Sequence, residues 1–233
     1  MKLKKNIQVK TIFNKVSYKY DFLNSLFSLG LHNLWKKELV DLLKPKDYEV
    51  WADLCCGTGD LSFLICKRIS PNGSITGIDS ANEILNIAKI KSELVKNKFI
   101  EWEIKDVFEI DENSKKFDGI CMSYGLRNLD SVEEGIKKVF NLLNDHGRAG
   151  FLDFNHSRKN SLPNIFQKIY LRLIVVPISK LFHLSQEYSY IEKSINNFPK
   201  GDELIKIAKE VGFNKVKYKT IFWGQMGILI LRK

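Results

Sequence analysis

Two glycines and a set of acids give the first chemical hint. The run Asp53-Leu-Cys-Cys-Gly57-Thr-Gly59-Asp60 follows the apolar stretch Val50–Leu54. Glycines at 57 and 59 let the main chain turn sharply and let a ligand lie against the backbone. The next acid at the end of an apolar run is Asp79, and 79 − 57 = 22. About 20 residues beyond a glycine loop is where a carboxylate meets the hydroxyls of a ribose. A dinucleotide fingerprint would carry a third glycine where Ser62 stands. Asp53 and Asp60 flank the loop and would face a pyrophosphate unfavourably. Acids suit a ligand with cationic parts. S-adenosylmethionine has a sulfonium and an ammonium and no phosphate, so charge favours it. The bland alternative is an ordinary tight turn.

Two more places carry polar groups. Lys105-Asp106-Val107 follows a third strand-like run, where a carboxylate can accept the adenine amino group. Ser123-Tyr124 follows a fourth, where a methyl donor would lie. Ligands of open α/β sheets sit at the carboxyl ends of strands. Asp53, Asp79, Asp106 and Ser123 all fall at such ends. Each taken alone reads equally as a turn residue.

The elements that must position these groups follow from periodicity. Residues 7–43 read as helical, broken near Ser28-Leu-Gly30, with a second helix over 33–43 that Pro45 ends. Strands are expected at 50–54, 74–78, 99–104, 117–122 and 148–154. Helices are expected at 60–68, 81–95 and 132–143. This alternation argues for right-handed βαβ units and a mostly parallel sheet, an α/β fold. Residues 161–197 read as helical without strand punctuation. A helix over 202–211 and strands over 216–222 and 226–231 complete the chain. A single domain over 1–233 is expected, with helical additions at 1–44 and 156–198 around a core at 45–155 and a C-terminal unit at 199–233.

The chain has 233 residues, 44% of them apolar. That is ordinary globular usage and excludes fibrous and disordered classes. Lys plus Arg number 37 against 27 Asp plus Glu, a net charge of +10. This permits contact with nucleic acid or an anionic membrane and proves neither. Cys55, Cys56, Cys66 and Cys121 form no C-x-x-C pair and no Cys/His zinc pattern, so no metal is expected and a reducing compartment is. The basic start lacks an apolar run behind it, so no secretory leader is expected. The expected location is cytoplasmic, in solution or on the cytoplasmic face of a membrane.

Longer motifs carry a resemblance. Tyr20-Asp-Phe-Leu-Asn24, Ser28-Leu-Gly-Leu-His32 and Trp35-Lys36 look like the N-terminal signature of the ubiquinone/menaquinone biosynthesis C-methyltransferases. Tyr124-Gly-Leu-Arg-Asn128 is similar to a second signature, and Ser189-Tyr-Ile-Glu-Lys-Ser194 with Phe198-Pro199 to a third. The match spans nearly the whole chain in order. It implies a class I S-adenosylmethionine-dependent methyltransferase: a Rossmann-like, mostly parallel sheet with an antiparallel C-terminal strand, N-terminal helices, and a helical insertion before the last strands. It implies methyl transfer to a ring carbon of a prenylated quinol. Thr58, Asp79, Asp106 with Val107, and Ser123 are the implied cofactor contacts, beside Gly57, Gly59 and Asp53 of the loop. The family often has Ala-Gly or Gly-Gly where Cys55-Cys56 stands here. Gly224-Gln-Met-Gly227 resembles the plant and cyanobacterial branch, which methylates a demethylphylloquinone-type naphthoquinone.

The chemistry can be reasoned separately. A ring carbon becomes nucleophilic when a neighbouring hydroquinone hydroxyl loses its proton. Arg127, always charged, can stabilise the phenolate or polarise a water. Asn128 can orient the ring oxygen. His32 can accept a proton, or be a packed or capping histidine. Tyr20 and Tyr124 can stack on the ring, with Asn24 counted beside them at the substrate. Residues 161–184 mix bulky apolar side chains with Lys168, Arg172 and Lys180, which suits covering a lipid tail, resting on an anionic leaflet, or packing on the core. The competing readings are a benzoquinol substrate, an RNA methyltransferase, and a non-catalytic scaffold. Basic residues are spread along the chain without an RNA-binding module, so no nucleic acid is expected. A homodimer is compatible with this reading.

Overall fold

The expected alternation is present in the computed structural model, which describes residues 9–15, 17–113, 115–155, 165, 169, 177 and 185–233. Strands β1 (Val50–Leu54), β2 (Ser74–Asp79), β3 (Ile100–Ile104), β4 (Phe117–Ser123) and β5 (Leu143–Phe154) run parallel. β6 (Lys215–Ile221) and β7 (Met226–Arg232) follow, and β7 pairs antiparallel with both β5 and β6. The sheet order is β3-β2-β1-β4-β5-β7-β6. Sequence order reverses between β1 and β4, so a crevice opens there above the carboxyl ends of the strands.

Residues 9–15 are helical. Helices α1 (Tyr20–Ser28), α2 (Leu31–Leu43), α3 (Asp60–Ile69), α4 (Asn82–Leu94), α5 (Val132–Leu142), α6 (Ser185–Asn196) and α7 (Gly201–Val211) follow in chain order. Local chemistry sets several ends. Ser131 accepts a hydrogen bond from the Glu134 N–H at the start of α5. Gly212, at φ 118°, closes α7 in a conformation that suits glycine. The core lies on both faces of the sheet. Trp51, Leu39 and Ile65 fill the face under α2 and α3; Phe117, Phe151 and Ile136 fill the face under α5 and α7. β1 is buried almost throughout, which explains its unbroken apolar run.

Two differences from expectation have physical causes. β5 begins at Leu143, not Arg148, because the polar run Asn144-Asp-His-Gly147 masks the strand pattern. The amphipathic stretch expected over 161–184 lies almost wholly outside the described residues. At the amino ends of the strands, Arg148 gathers the chain. Its Nε donates to the Leu43 carbonyl at 2.6 Å, and one Nη donates to the Lys44 carbonyl at 2.7 Å and to Glu49. Its guanidinium stands 4.9 Å from the Trp51 ring.

Candidate active site

The loop after β1 is shaped by backbone conformation. Cys55, Gly57 and Gly59 all have positive φ, at 53°, 56° and 85°. A Cβ on Gly59 would stand 2.5 Å from Trp102, so glycine is required there for space as well as conformation. Asp79, at the end of β2, grips this loop. One carboxylate oxygen accepts from the Gly57 N–H at 2.9 Å and the other from the Ala81 N–H at 2.9 Å. Burial pushes the Asp79 carboxyl above its ordinary range, while backbone N–H groups pull it back.

Two adjoining hollows, each of about 50 Å³, open above these strand ends. Val9, Cys55, Asp79, Ser80 and Asn128 line both. The first continues along Lys105, Asp106, Val107 and Asp130. Asp106 is fixed by accepting from the Phe108 N–H at 2.9 Å. Asp130 holds a buried carboxylate oxygen with no hydrogen-bond partner among the described residues. The second continues along Tyr20, Gly57, Ser123, Tyr124 and Gly125.

Beside the second hollow, the turn after β4 is locked from below. Tyr124 has φ 59°, and its N–H donates to the Leu152 carbonyl at 2.8 Å. Arg127 Nη1 donates to Asp153 at 2.7 Å and to the Tyr124 carbonyl at 2.7 Å. Both partners of this ion pair are buried, and the guanidinium stands 5.0 Å from the Phe154 ring. Arg127 Nε is buried without a partner among the described residues. Asn128 Nδ2 donates to the Tyr124 carbonyl at 2.9 Å, and the Tyr190 hydroxyl of α6 donates to Asn128 Oδ1 at 3.2 Å.

The N-terminal helices lie over the loop through side-chain pairs. Thr58 Oγ1 donates to Asp21 at 2.6 Å, Lys91 meets Asp21 at 2.5 Å, and Lys36 meets Asp60 at 2.6 Å. Lys36 is only 3% exposed, and its Nζ stands 5.8 Å from the Tyr124 ring centre. Despite burial, the Lys36 charge holds Asp60 below the usual carboxylate range. Burial pushes the Tyr20 hydroxyl up to about 12, with Asn24 and the charge of Arg127 pulling it back. Asn24 Nδ2 is buried beside that hydroxyl.

His32 is held by Ser28. The Ser28 hydroxyl donates to the Asn24 carbonyl at 2.6 Å, so its oxygen accepts from His32 Nδ1 at 2.8 Å. That assigns the proton of neutral His32 to Nδ1 and leaves Nε2 as the base. Burial, aided by the Lys36 charge, lowers the His32 pKa.

A family model described as the ubiE/COQ5 methyltransferase family matches residues 1–232. The chain belongs to this family. It is an S-adenosylmethionine-dependent methyltransferase. A 2-phytyl-1,4-naphtoquinone methyltransferase of Nostoc punctiforme is 35% identical over 227 residues, 97% of this chain and 98% of that one. A chloroplastic 2-phytyl-1,4-beta-naphthoquinone methyltransferase of Arabidopsis thaliana is 34% identical, covering 95% of this chain and 85% of that one. Among solved structures, a SAM-dependent methyltransferase from Aquifex aeolicus superposes with TM-score 0.65 at 13% identity, covering 91% of this chain and 97% of that one. That likeness is one of fold, the class I Rossmann-like fold.

The cleft of this methyltransferase suits its donor. A carboxylate offers about four acceptor sites, so Asp79 keeps capacity for ribose hydroxyls after holding the loop. Asp106 and Asp130 add acceptors in the first hollow. Thus Asp79, Asp106, Val107, Ser123, Gly57, Tyr20, Tyr124 and Asn128 come together on the walls of the two hollows.

Other expected residues stand elsewhere. Asp53 is beneath the loop, 1% exposed, accepting from Ser62 Oγ at 2.7 Å. Burial raises its pKa to about 7. Asp60 is taken by Lys36 and Lys91. The charge argument drawn from these two acids is therefore corrected: the acids that line the cleft are Asp79, Asp106 and Asp130. Thr58 turns to Asp21. Gly59, Arg127, His32 and Asn24 do not line either hollow. Arg127 and Asn24 stand behind Tyr20 and Tyr124. Sequence reasoning missed Lys36, Asp130, Asp153 and Tyr190 as parts of the site. Lys36 stands inside the quoted Trp35-Lys36 motif, and Tyr190 inside the third motif, so those signals were available.

Proposed function

We propose that this chain methylates a ring carbon of a prenylated 1,4-naphthoquinol, of the 2-phytyl or 2-polyprenyl type, in phylloquinone or menaquinone biosynthesis. The observation that carries the reading is Asn128. It lines both hollows, and so joins the strand ends that suit the donor to the Tyr20–Tyr124 corner that suits a flat ring. The named activities of the relatives support the same substrate class.

The roles follow from chemistry. When bound, S-adenosylmethionine supplies an electrophilic methyl on sulfur. Asp79 holds the ribose, Asp106 with Val107 the adenine, and Ser123 the region of the methyl, with Gly57 leaving the backbone open. Tyr20 and Tyr124 flank the quinol ring. Asn128 directs a ring oxygen, and the buried Arg127 guanidinium, behind the Tyr124 ring, supplies a positive charge that favours an oxygen becoming anionic. The ring carbon that takes the methyl already carries a hydrogen, and the aromatic ring returns when that hydrogen leaves as a proton. His32 takes a positioning part, through Ser28 and Lys36. Residues 1–44 act as the substrate cap, and contact with the cytoplasmic face of a membrane completes the picture.

The deciding experiment offers demethylated naphthoquinols and benzoquinols side by side, with reductant and labelled donor. Label in the naphthoquinol ring is expected. Label in benzoquinol alone would overturn the substrate assignment.

A further inference from the structure

At the rim of the cleft, strained backbone displays apolar side chains. Leu29, between α1 and α2, has φ 52° and is 70% exposed. Phe222, Trp223 and Gly224, between β6 and β7, have φ 48°, 52° and 79°. Trp223 is 72% exposed and stacks in parallel on Phe222. A non-glycine residue held at positive φ costs on the order of 1–3 kcal/mol, and such strain clusters at sites with a task.

The two turns share one edge of the molecule. Met226 pairs with Phe154, so the β6–β7 turn projects beyond the carboxyl end of β5. That is the end that carries the cleft. Trp35 of α2 contacts Phe222 at 5.2 Å, which brings the exposed Leu34 alongside. Positive charge flanks this apolar rim. Lys217 and Lys219 alternate along edge strand β6 on the side facing α2, since Lys219 reaches Glu38 at 2.6 Å. Lys37 of α2 is exposed. Lys37 and Lys217 make no ion pair among the described residues, whereas the acids of this face, Glu38 and Asp41, are paired with Lys219 and Arg68.

We propose that this rim, Leu29, Leu34 and Trp223 flanked by Lys37, Lys217 and Lys219, docks on the surface of an anionic lipid bilayer with the cleft mouth facing the lipid. The occupant follows from the pairing of chemistries. Apolar tips with an indole suit the interfacial layer, and Lys37 and Lys217, without an ion pair among the described residues, suit acidic headgroups. The inference rests on the prenylated-quinol reading, because a hydrocarbon-tailed substrate is delivered from that layer.

The test uses the full chain with vesicles of phosphatidylcholine alone or mixed with phosphatidylglycerol. Sedimentation with the mixed vesicles at low salt is expected, and its loss at high salt. Trp223→Ala should weaken binding about tenfold, and Lys37→Ala with Lys217→Ala about fivefold for each charge removed. Trp223→Phe should keep binding but lose the blue shift of indole emission. Trp223→Ala, Trp223→Phe and Lys217→Ala alone should methylate a short-tailed naphthoquinol in buffer at the wild-type rate. That control separates the two readings: loss of lipid binding with intact turnover supports the rim, and absence of turnover in every form indicts the substrate instead. Undiminished lipid binding by Trp223→Ala and by the lysine variant would overturn the proposal. So would a dimer that Trp223→Ala dissolves with no lipid binding, which would give the rim to a second copy.

Discussion

The floor and the roof of the cleft are built by different forces. The floor, at the ends of β1, β2 and β4, is held by main-chain groups. Asp79 binds two backbone N–H groups, and sheet register fixes where the loop begins. The roof, α1 and α2, is held by ion pairs among side chains: Lys36–Asp60, Lys91–Asp21 and the Thr58–Asp21 hydrogen bond. Backbone bonds fixed by strand pairing are insensitive to salt. Ion pairs weaken as salt rises, most of all where they are exposed. The difference assigns rigidity to the floor, the proposed donor side, and adjustability to the roof, the proposed substrate side.

The largest expected effect comes where floor and roof meet. Arg127→Ala leaves Asp153 charged and buried, which costs about 3–5 kcal/mol of stability. Thermal unfolding of Arg127→Ala beside the double variant Arg127→Leu/Asp153→Leu measures it. If the double variant regains stability but not turnover, Arg127 has a chemical part beyond its ion pair. Equal turnover in wild type and double variant would remove that part.

Gly59→Ala should break the floor. The left-handed conformation and the 2.5 Å approach to Trp102 together cost about 3 kcal/mol. Calorimetry should show donor affinity falling with stability. Unchanged affinity would mean that the loop does not shape the donor site.

Lys36→Met should loosen the roof alone. Losing a charged hydrogen bond costs about 1.5–3 kcal/mol. Turnover on quinol should drop while donor binding in the absence of quinol holds. Added salt should leave this buried pair largely intact, so wild type should keep its turnover where the variant loses it. Unchanged quinol turnover by Lys36→Met would separate the roof from this pair.

The smallest effect is a pH dependence under the floor. Asp53 has a folded pKa raised to about 7 by burial, above the ordinary range near 4. The folded state therefore holds the proton more tightly than the unfolded chain between about pH 4 and 7. Stability is greatest at the acid end of that window and falls as pH rises through it. Asp53→Asn, with no charge to bury, should flatten this slope, by on the order of 2 kcal/mol between pH 5 and 8. Melting curves across that range read it directly.

The floor was far more legible in the sequence than the roof. β1, β2 and β4 are buried on both faces, so their apolar runs and terminal acids are local signals. Asp79 was found that way, whereas Asp106 follows β3, whose alternating run marks a partly exposed strand. Burial of Lys36 is set by Asp60, 24 residues away in the chain, and nothing local marks it. The link from Tyr190 to Asn128 spans 62 residues and depends on how α6 packs. Asp53 and Asp60 sit at the right spacing but face away from the hollows, because Ser62 and the two lysines claim them. In an irregular loop, unlike a strand or helix, residue spacing does not fix which way a side chain turns.

Arg148 has a consequence for motion. By holding the Leu43 and Lys44 carbonyls it makes a fulcrum of one end of α2. The opposite end, near Leu29, is tied to the sheet layer through the side chains of Trp35 and Lys36. A rod pinned at one end swings through its widest arc at the other, so amide exchange along α2 should quicken steadily from Leu43 towards Leu31, and the passage for a bulky ring opens at the fast end.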